Sequence, residues 1–211
     1  MSLTLVIGNK NYSSWSLRAW AVLRSLGIPF QEEQHFFEGF SNAERFRPFS
    51  PSGRVPCLYD DATVVWDSLA IIEYLDAVRP TPRLVPKDAI LAAKVRAVAL
   101  AIACDTHPLT NLRVAGYLAT ELKVPPDSIE AWRRFWNLEG LQAVERLIAP
   151  APFCFSAEPT LADVCLIPQL FAARRFATPL DHLPRILSVE AACLELEAFK
   201  RAHPARQADA E

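Results

Sequence analysis

Apolar positions follow two different rhythms along this chain, and the change between them marks its organisation. The run LTLVIG, Leu3 to Gly8, is continuously apolar and partly β-branched, the pattern of a strand buried on both faces. Trp15, Ala19, Val22, Leu23 and Leu26 then recur at helical spacing, and Gly27 followed by Ile28-Pro29 stops that helix. FQEEQHFF, starting at Phe30, predicts a second strand with imperfect alternation. A β-α-β unit of this kind predicts a parallel pair joined by a right-handed crossover.

In FRPFSPSGRVPCLYDD, Pro48 and Pro51 exclude a helix, Gly53 permits a turn, and Val55-Pro56 leads into a short strand, Cys57 to Tyr59. DDAT is a turn and VVW a further strand, so the two strands predict a hairpin. DSLAIIEYLDAV then opens a helix, with Asp67 or Ser68 as N-cap and Leu69, Ile72 and Leu75 on one stripe.

RPTPRLVPKD holds three prolines in ten residues and predicts a linker. Beyond it the rhythm is helical throughout. Residues 89–122 form one Ala/Leu/Val-rich helical stretch, broken near CDTHPLTN. A second starts after Pro125-Pro126. A third, TLADVCLIPQLFAARRF, opens on a capping box in which Thr160 is the N-cap and Asp163 reaches back to its backbone N–H. A fourth is ILSVEAACLELEAFKRA, and the polar tail HPARQADAE predicts no further element. The fold class is therefore α/β plus all-α, with a first domain over 1–79, a linker over 80–87 and an all-helical domain over 88–211.

Composition narrows the function classes. The 211 residues are 51% hydrophobic and carry a formal charge of −2, which suits a packed core and argues against nucleic acid as a partner. No uncharged apolar run reaches the length of a spanning helix, and MSLTLVIGNK lacks the layout of a signal peptide, so a cytoplasmic location with no membrane partner is expected. The five cysteines contain no C-x-x-C pair and no His at ligand spacing, so no metal is expected; buried free thiols are.

FSPSGRVPCLYDD, WDSLAIIEYLDAVRPTPRLVP, THPLTNLRVAGYL, TLADVCLIPQ and LEAFKRAHPARQ together resemble the cytosolic glutathione S-transferase superfamily. Within it they look most like the zeta class, which includes maleylacetoacetate and maleylpyruvate isomerases. The resemblance implies a thioredoxin-like N-terminal domain, a helical C-terminal domain, a homodimer, and glutathione bound between the domains as cofactor. It implies a cis proline at Pro56, which leaves the backbone of Val55 extended and able to pair with a short peptide. Arg54, Val55, Pro56, Asp67, Ser68, His107 and Asn111 fall at its glutathione-contacting positions. Asp67 and Ser68 begin a helix, where N–H groups and a hydroxyl can hold a carboxylate as well as cap. Arg113 and Arg175, with Arg174 as the alternative to Arg175, match positions facing an acidic substrate, and guanidinium forks suit a dicarboxylate.

The chain departs from the family at the thiol-activating stretch. Trp15 and Arg18 keep the family spacing, but Asn11 stands where a Ser is usual, Tyr12 at a second Ser and Ser13 at a Cys. A thiol of pKa about 8.5 becomes a thiolate near neutral pH when a helix N-terminus and a hydrogen-bond donor face it. Ser13 is the first choice for that donor, then Asn11 and Tyr12, with Ser14 last. The implied reaction is cis–trans isomerisation of a maleyl-type diacid, by thiolate addition to the conjugated alkene, rotation and expulsion. The alternatives are a general transferase conjugating small electrophiles and a glutathione-binding scaffold without catalysis.

Overall fold

A computed structural model describes residues 3–8, 31–35, 47–48, 50–78 and 83–206. Contacts divide the chain into two units, Met1–Arg83 with Leu194–Glu211, and Leu84–Cys193.

The first unit is built on a four-stranded sheet of order β2-β1-β3-β4. Its strands are β1 (Leu3–Gly8), β2 (Gln31–His35), β3 (Cys57–Asp60) and β4 (Thr63–Trp66). The apolar run makes β1 an inner strand, and Leu5, Val6 and Ile7 have no exposed surface. β2 pairs with it in parallel, Thr4 opposite Gln31 and Gly8 opposite His35. β3 pairs antiparallel on its other side, with Leu3 opposite Asp60 and Val6 opposite Cys57. The parallel first pair is as the pattern predicts; the helix expected over Trp15–Leu26 lies outside the described residues.

The β3–β4 hairpin also forms, with Asp60 opposite Thr63 around Asp61 and Ala62. Asp61 takes a φ of 51°, the left-handed conformation that Asp tolerates better than most residues. Helix α1 (Ser68–Val78) follows and buries Ile71, Ile72 and Leu75 completely. Tyr74 on this helix donates to the Asp60 carboxylate at 2.6 Å, tying it to the hairpin turn.

The second unit is helical: α2 (Ala89–Leu100), α3 (His107–Thr110), α4 (Leu112–Thr120), α5 (Pro126–Leu147), α6 (Leu161–Arg175) and α7 (Pro184–Glu195). Asp88 caps α2, its Oδ1 accepting the Leu91 N–H at 2.8 Å. Between α2 and α3 the chain widens into a π-helical turn, Ala101–Thr106, where the His107 N–H reaches back to Ile102. Pro108 lies just beyond and has no N–H to continue an ordinary ladder. The break expected near CDTHPLTN is thus a widened turn, one short helix and a fresh start at α4.

Helix α6 runs through the core, with Leu161 to Leu166 all buried. Its start is the predicted capping box: Asp163 Oδ2 accepts the Thr160 N–H at 2.7 Å and the Thr160 hydroxyl at 2.8 Å. The other oxygen, Oδ1, accepts the Cys154 N–H at 2.8 Å and so also fixes the loop before the helix.

Two expectations need correction. The fourth helical stretch is not continuous: Leu196 is extended, with ψ 131°, so α7 ends at Glu195 and α8 (Glu197–Ala202) begins anew. The break falls next to the boundary between the units. Of the cysteines, Cys57, Cys154, Cys165 and Cys193 are buried free thiols, but Cys104 is exposed, because the π-helical turn carries it on an outer face. Burial, then the negative charge of Asp163, pushes the Cys154 thiol far above its ordinary range. Cys193 is raised by the same two causes in the same order.

Candidate active site

In the first unit the candidate residues converge through strand register. Cys57 lies opposite Trp66, so Val55-Pro56 before β3 and Asp67-Ser68 after β4 emerge at one end of the hairpin. β1 reaches that same end at Gly8, since Val6 lies opposite Cys57. The turn Ser50–Gly53 brings the chain in: Gly53 takes a φ of 64° and its N–H bonds to the Ser50 carbonyl at 2.8 Å. The Val55–Pro56 peptide bond is cis. Val55 is half-buried, Pro56 buried, and Arg54 exposed.

Asp67 also occupies a left-handed conformation, φ 74°, unusual for a residue with a side chain. Its Oδ1 accepts the Leu69 N–H at 3.0 Å, so it caps α1 from an exposed position. Ser68 is fully buried, and its hydroxyl has no hydrogen-bond partner among the described residues. An orphaned hydroxyl at a helix N-terminus, at the same end of the hairpin as the cis Val55–Pro56 bond, has the donor chemistry to hold a carboxylate such as those of glutathione. Asn11, Tyr12 and Ser13 lie outside the described residues.

In the second unit His107, Asn111 and Arg113 follow one another along α3 and the start of α4. His107 is buried, 7% exposed. Its carbonyl accepts the Thr110 hydroxyl at 3.2 Å. Asn111, extended at φ −74° and ψ 166°, is the N-cap of α4, and its Oδ1 accepts the Val114 N–H at 3.0 Å. Arg113 is exposed in the first turn of α4.

Arg175 is the exposed last residue of α6. Its neighbour Arg174 is committed elsewhere, since its guanidinium makes a two-pronged pair with Glu190 on α7. The hydrogen bond to Glu190 is the main cause of the rise in the Arg174 pKa. Just beyond, Phe176 lies under the Arg133 guanidinium, 4.7 Å from the ring centroid.

Sequence reasoning missed the residues of α5 that hold these segments. Trp132 Nε1–H donates to the Leu109 carbonyl at 2.7 Å. Gly140 faces Thr106 so closely that a Cβ there would lie 2.0 Å from its Oγ1. Helical spacing placed both on a helix, but nothing in the spacing names their partners.

Comparisons with known proteins give the family. Residues 12–78 match the glutathione S-transferase N-terminal domain and residues 138–201 the C-terminal domain. A maleylpyruvate isomerase from Ralstonia is 38% identical over 95% of this chain and 99% of its own. A holo maleylpyruvate isomerase structure, a bacterial zeta-class enzyme, is 37% identical with TM-score 0.91, covering 100% of both chains. A maleylacetoacetate isomerase from Anaeromyxobacter dehalogenans has dicarboxyethyl glutathione and citrate in its active site. It is 33% identical with TM-score 0.85, over 99% of this chain and 94% of its own. A thioredoxin-like half followed by a helical half, matched along its whole length at this identity, makes the chain a member of the glutathione S-transferase family, similar to its zeta class.

Proposed function

We propose that the protein is a glutathione-dependent cis–trans isomerase of maleyl-type diacids, acting as a cytoplasmic homodimer. The observation that carries the reading is the orphaned Ser68 hydroxyl at the N-terminus of α1, at the same hairpin end as the cis Val55–Pro56 bond. Glutathione, when bound, supplies the sulfur nucleophile that adds to the conjugated alkene and leaves after rotation.

The residues of the chain do the rest. Val55 offers its backbone to the peptide, as an added strand pairs with a sheet edge. Ser68 donates to a carboxylate, aided by the N–H groups of the first turn. Arg54 stands exposed beside them as a further cation. Ser13, with Asn11 and Tyr12 as alternates, donates to the sulfur and favours its thiolate. His107 and Asn111 complete the cofactor side. Arg113 and Arg175 hold the diacid carboxylates and orient the alkene for attack. In this division residues 1–79 bind most of the cofactor, and residues 88–211 bind the substrate and add His107 and Asn111 to the cofactor side.

The test is turnover of maleylpyruvate and maleylacetoacetate with and without glutathione. Glutathione-dependent isomerisation of either supports the reading. Conjugation of aryl halides without isomerisation would favour the broader transferase, and glutathione binding without any turnover the scaffold.

A further inference from the structure

The short helix α3 ends where Asn111 turns extended, so its last carbonyls have no intrahelical N–H to accept. Side chains satisfy two of them. The Thr110 hydroxyl takes that of His107, at 3.2 Å. The other belongs to Leu109, and it is taken from across the unit by the indole N–H of Trp132 on α5, at 2.7 Å. That indole is itself held by an edge-on contact with Trp136, ring centroids 5.6 Å apart. Two residues beyond Leu109, Asn111 caps α4, and the first turn of α4 carries Arg113.

A carbonyl held at a fixed height by a rigid ring sets where the next helix starts. A flexible donor, or water, would satisfy the same carbonyl without fixing that position. We propose that Trp132 is a positioning residue for the diacid site: by holding the Leu109 carbonyl it fixes the start of α4 and aims Arg113 at the substrate carboxylate. The inference rests on the isomerase reading above and adds to it a residue that touches neither cofactor nor substrate.

The experiment compares wild type, Trp132→Phe, Arg113→Ala and the double variant, with maleylpyruvate varied at saturating glutathione. Trp132→Phe keeps most of the ring and loses the donor. Losing one neutral hydrogen bond should raise the KM for the diacid about fivefold while kcat stays within about twofold. In the double variant the Trp132 effect should vanish, because the group it aims is already gone. A benzothienylalanine at position 132, which replaces the N–H by sulfur at nearly the same shape, should repeat the KM rise if the phenylalanine variant folds poorly.

An unchanged KM in a folded donor-less variant overturns the inference. So do multiplicative effects of the two substitutions, since a general loosening of the unit would lower every variant alike. Wild-type protein that fails to isomerise either diacid overturns the isomerase reading, and this inference with it. Wild-type turnover with an insensitive Trp132 variant overturns the inference alone.

Discussion

Replacing Asp163 by Ala should be among the most damaging single changes in the helical unit. The side chain has no exposed surface and accepts three hydrogen bonds, from the N–H groups of Cys154 and Thr160 and from the Thr160 hydroxyl. Alanine leaves all three donors without that acceptor. The hydroxyl can rotate toward another acceptor, but the two backbone donors cannot move without unwinding the cap. A buried donor stripped of its partner costs about 1–3 kcal/mol, so the two together cost about 2–6 kcal/mol. Removing a buried carboxylate also returns part of its desolvation cost, which pulls the figure away from the upper end. About 4 kcal/mol is the expected loss.

Asp163→Asn separates hydrogen bonding from charge. Its amide oxygen can keep one backbone donor, while its NH2 group faces the other. It should therefore lose about half as much, on the order of 2 kcal/mol. For a chain of this size 1 kcal/mol corresponds to about 2–4 °C, so the alanine variant should melt about 8–16 °C lower. Calorimetry or circular dichroism of the full chain measures both, with urea titrations as a check on whether unfolding is two-state. An alanine variant within about 1 kcal/mol of wild type would refute the reasoning, as would an asparagine variant as damaged as the alanine.

Gly140→Ala puts a methyl into Thr106 and should cost about 1–3 kcal/mol, read as a lower melting temperature, with Thr106→Ala in the same chain recovering part of it. Ser68→Ala should weaken glutathione binding about tenfold yet leave stability equal or slightly higher, because it removes a buried hydroxyl that has no partner; binding calorimetry and melting curves read the two effects separately. In the native protein a thiol reagent should modify Cys104 fast and leave Cys57, Cys154, Cys165 and Cys193 untouched until unfolding, as mass mapping would show. His203 should make the fold acid-sensitive. Burial, then Arg206, lowers its pKa, and its Nδ1 accepts the Ala205 N–H at 3.2 Å, so the folded state favours the neutral ring. Its contribution is present above the ordinary His pKa of about 6.5 and is lost as pH falls through the lowered folded value; His203→Gln should flatten that part of a melting profile between pH 7.5 and about 5.

Much of this architecture is legible from single positions. LTLVIG could only be an inner strand, and β1 is one, because a run apolar on both faces needs cover on both. Thr160 and Asp163 announced the start of α6 because capping is local chemistry between residues three apart. Tertiary partnerships were not legible. The close fit of Gly140 on α5 against Thr106 of the π-helical turn joins positions far apart in the chain, which neither stretch reveals by itself. The pairing of Arg174 with Glu190 joins residues on two different helices, which the spacing along either one does not report. The break at Leu196 was hidden because the apolar spacing carries on through it, and spacing alone does not report a single extended residue.

Capping and ligand binding are not rival roles at these helix starts, because capping decides what remains for a ligand. Asp67 spends an oxygen on the Leu69 N–H, and Asn111 spends its oxygen on the Val114 N–H. What the caps leave unused at these positions is mainly donors: the Ser68 hydroxyl and the Asn111 NH2 group. Arg54 and Arg113, both exposed, add only donors. A set so biased toward donors is matched to anions, and both the proposed cofactor and a maleyl diacid present carboxylates. An uncharged electrophile would gain nothing from Arg113 or Arg175. The selectivity that follows is measurable: Arg113→Ala should raise the KM for a diacid about tenfold or more and leave that for a neutral aryl halide unchanged. Equal losses on both substrates would mean that Arg113 serves the fold rather than the substrate.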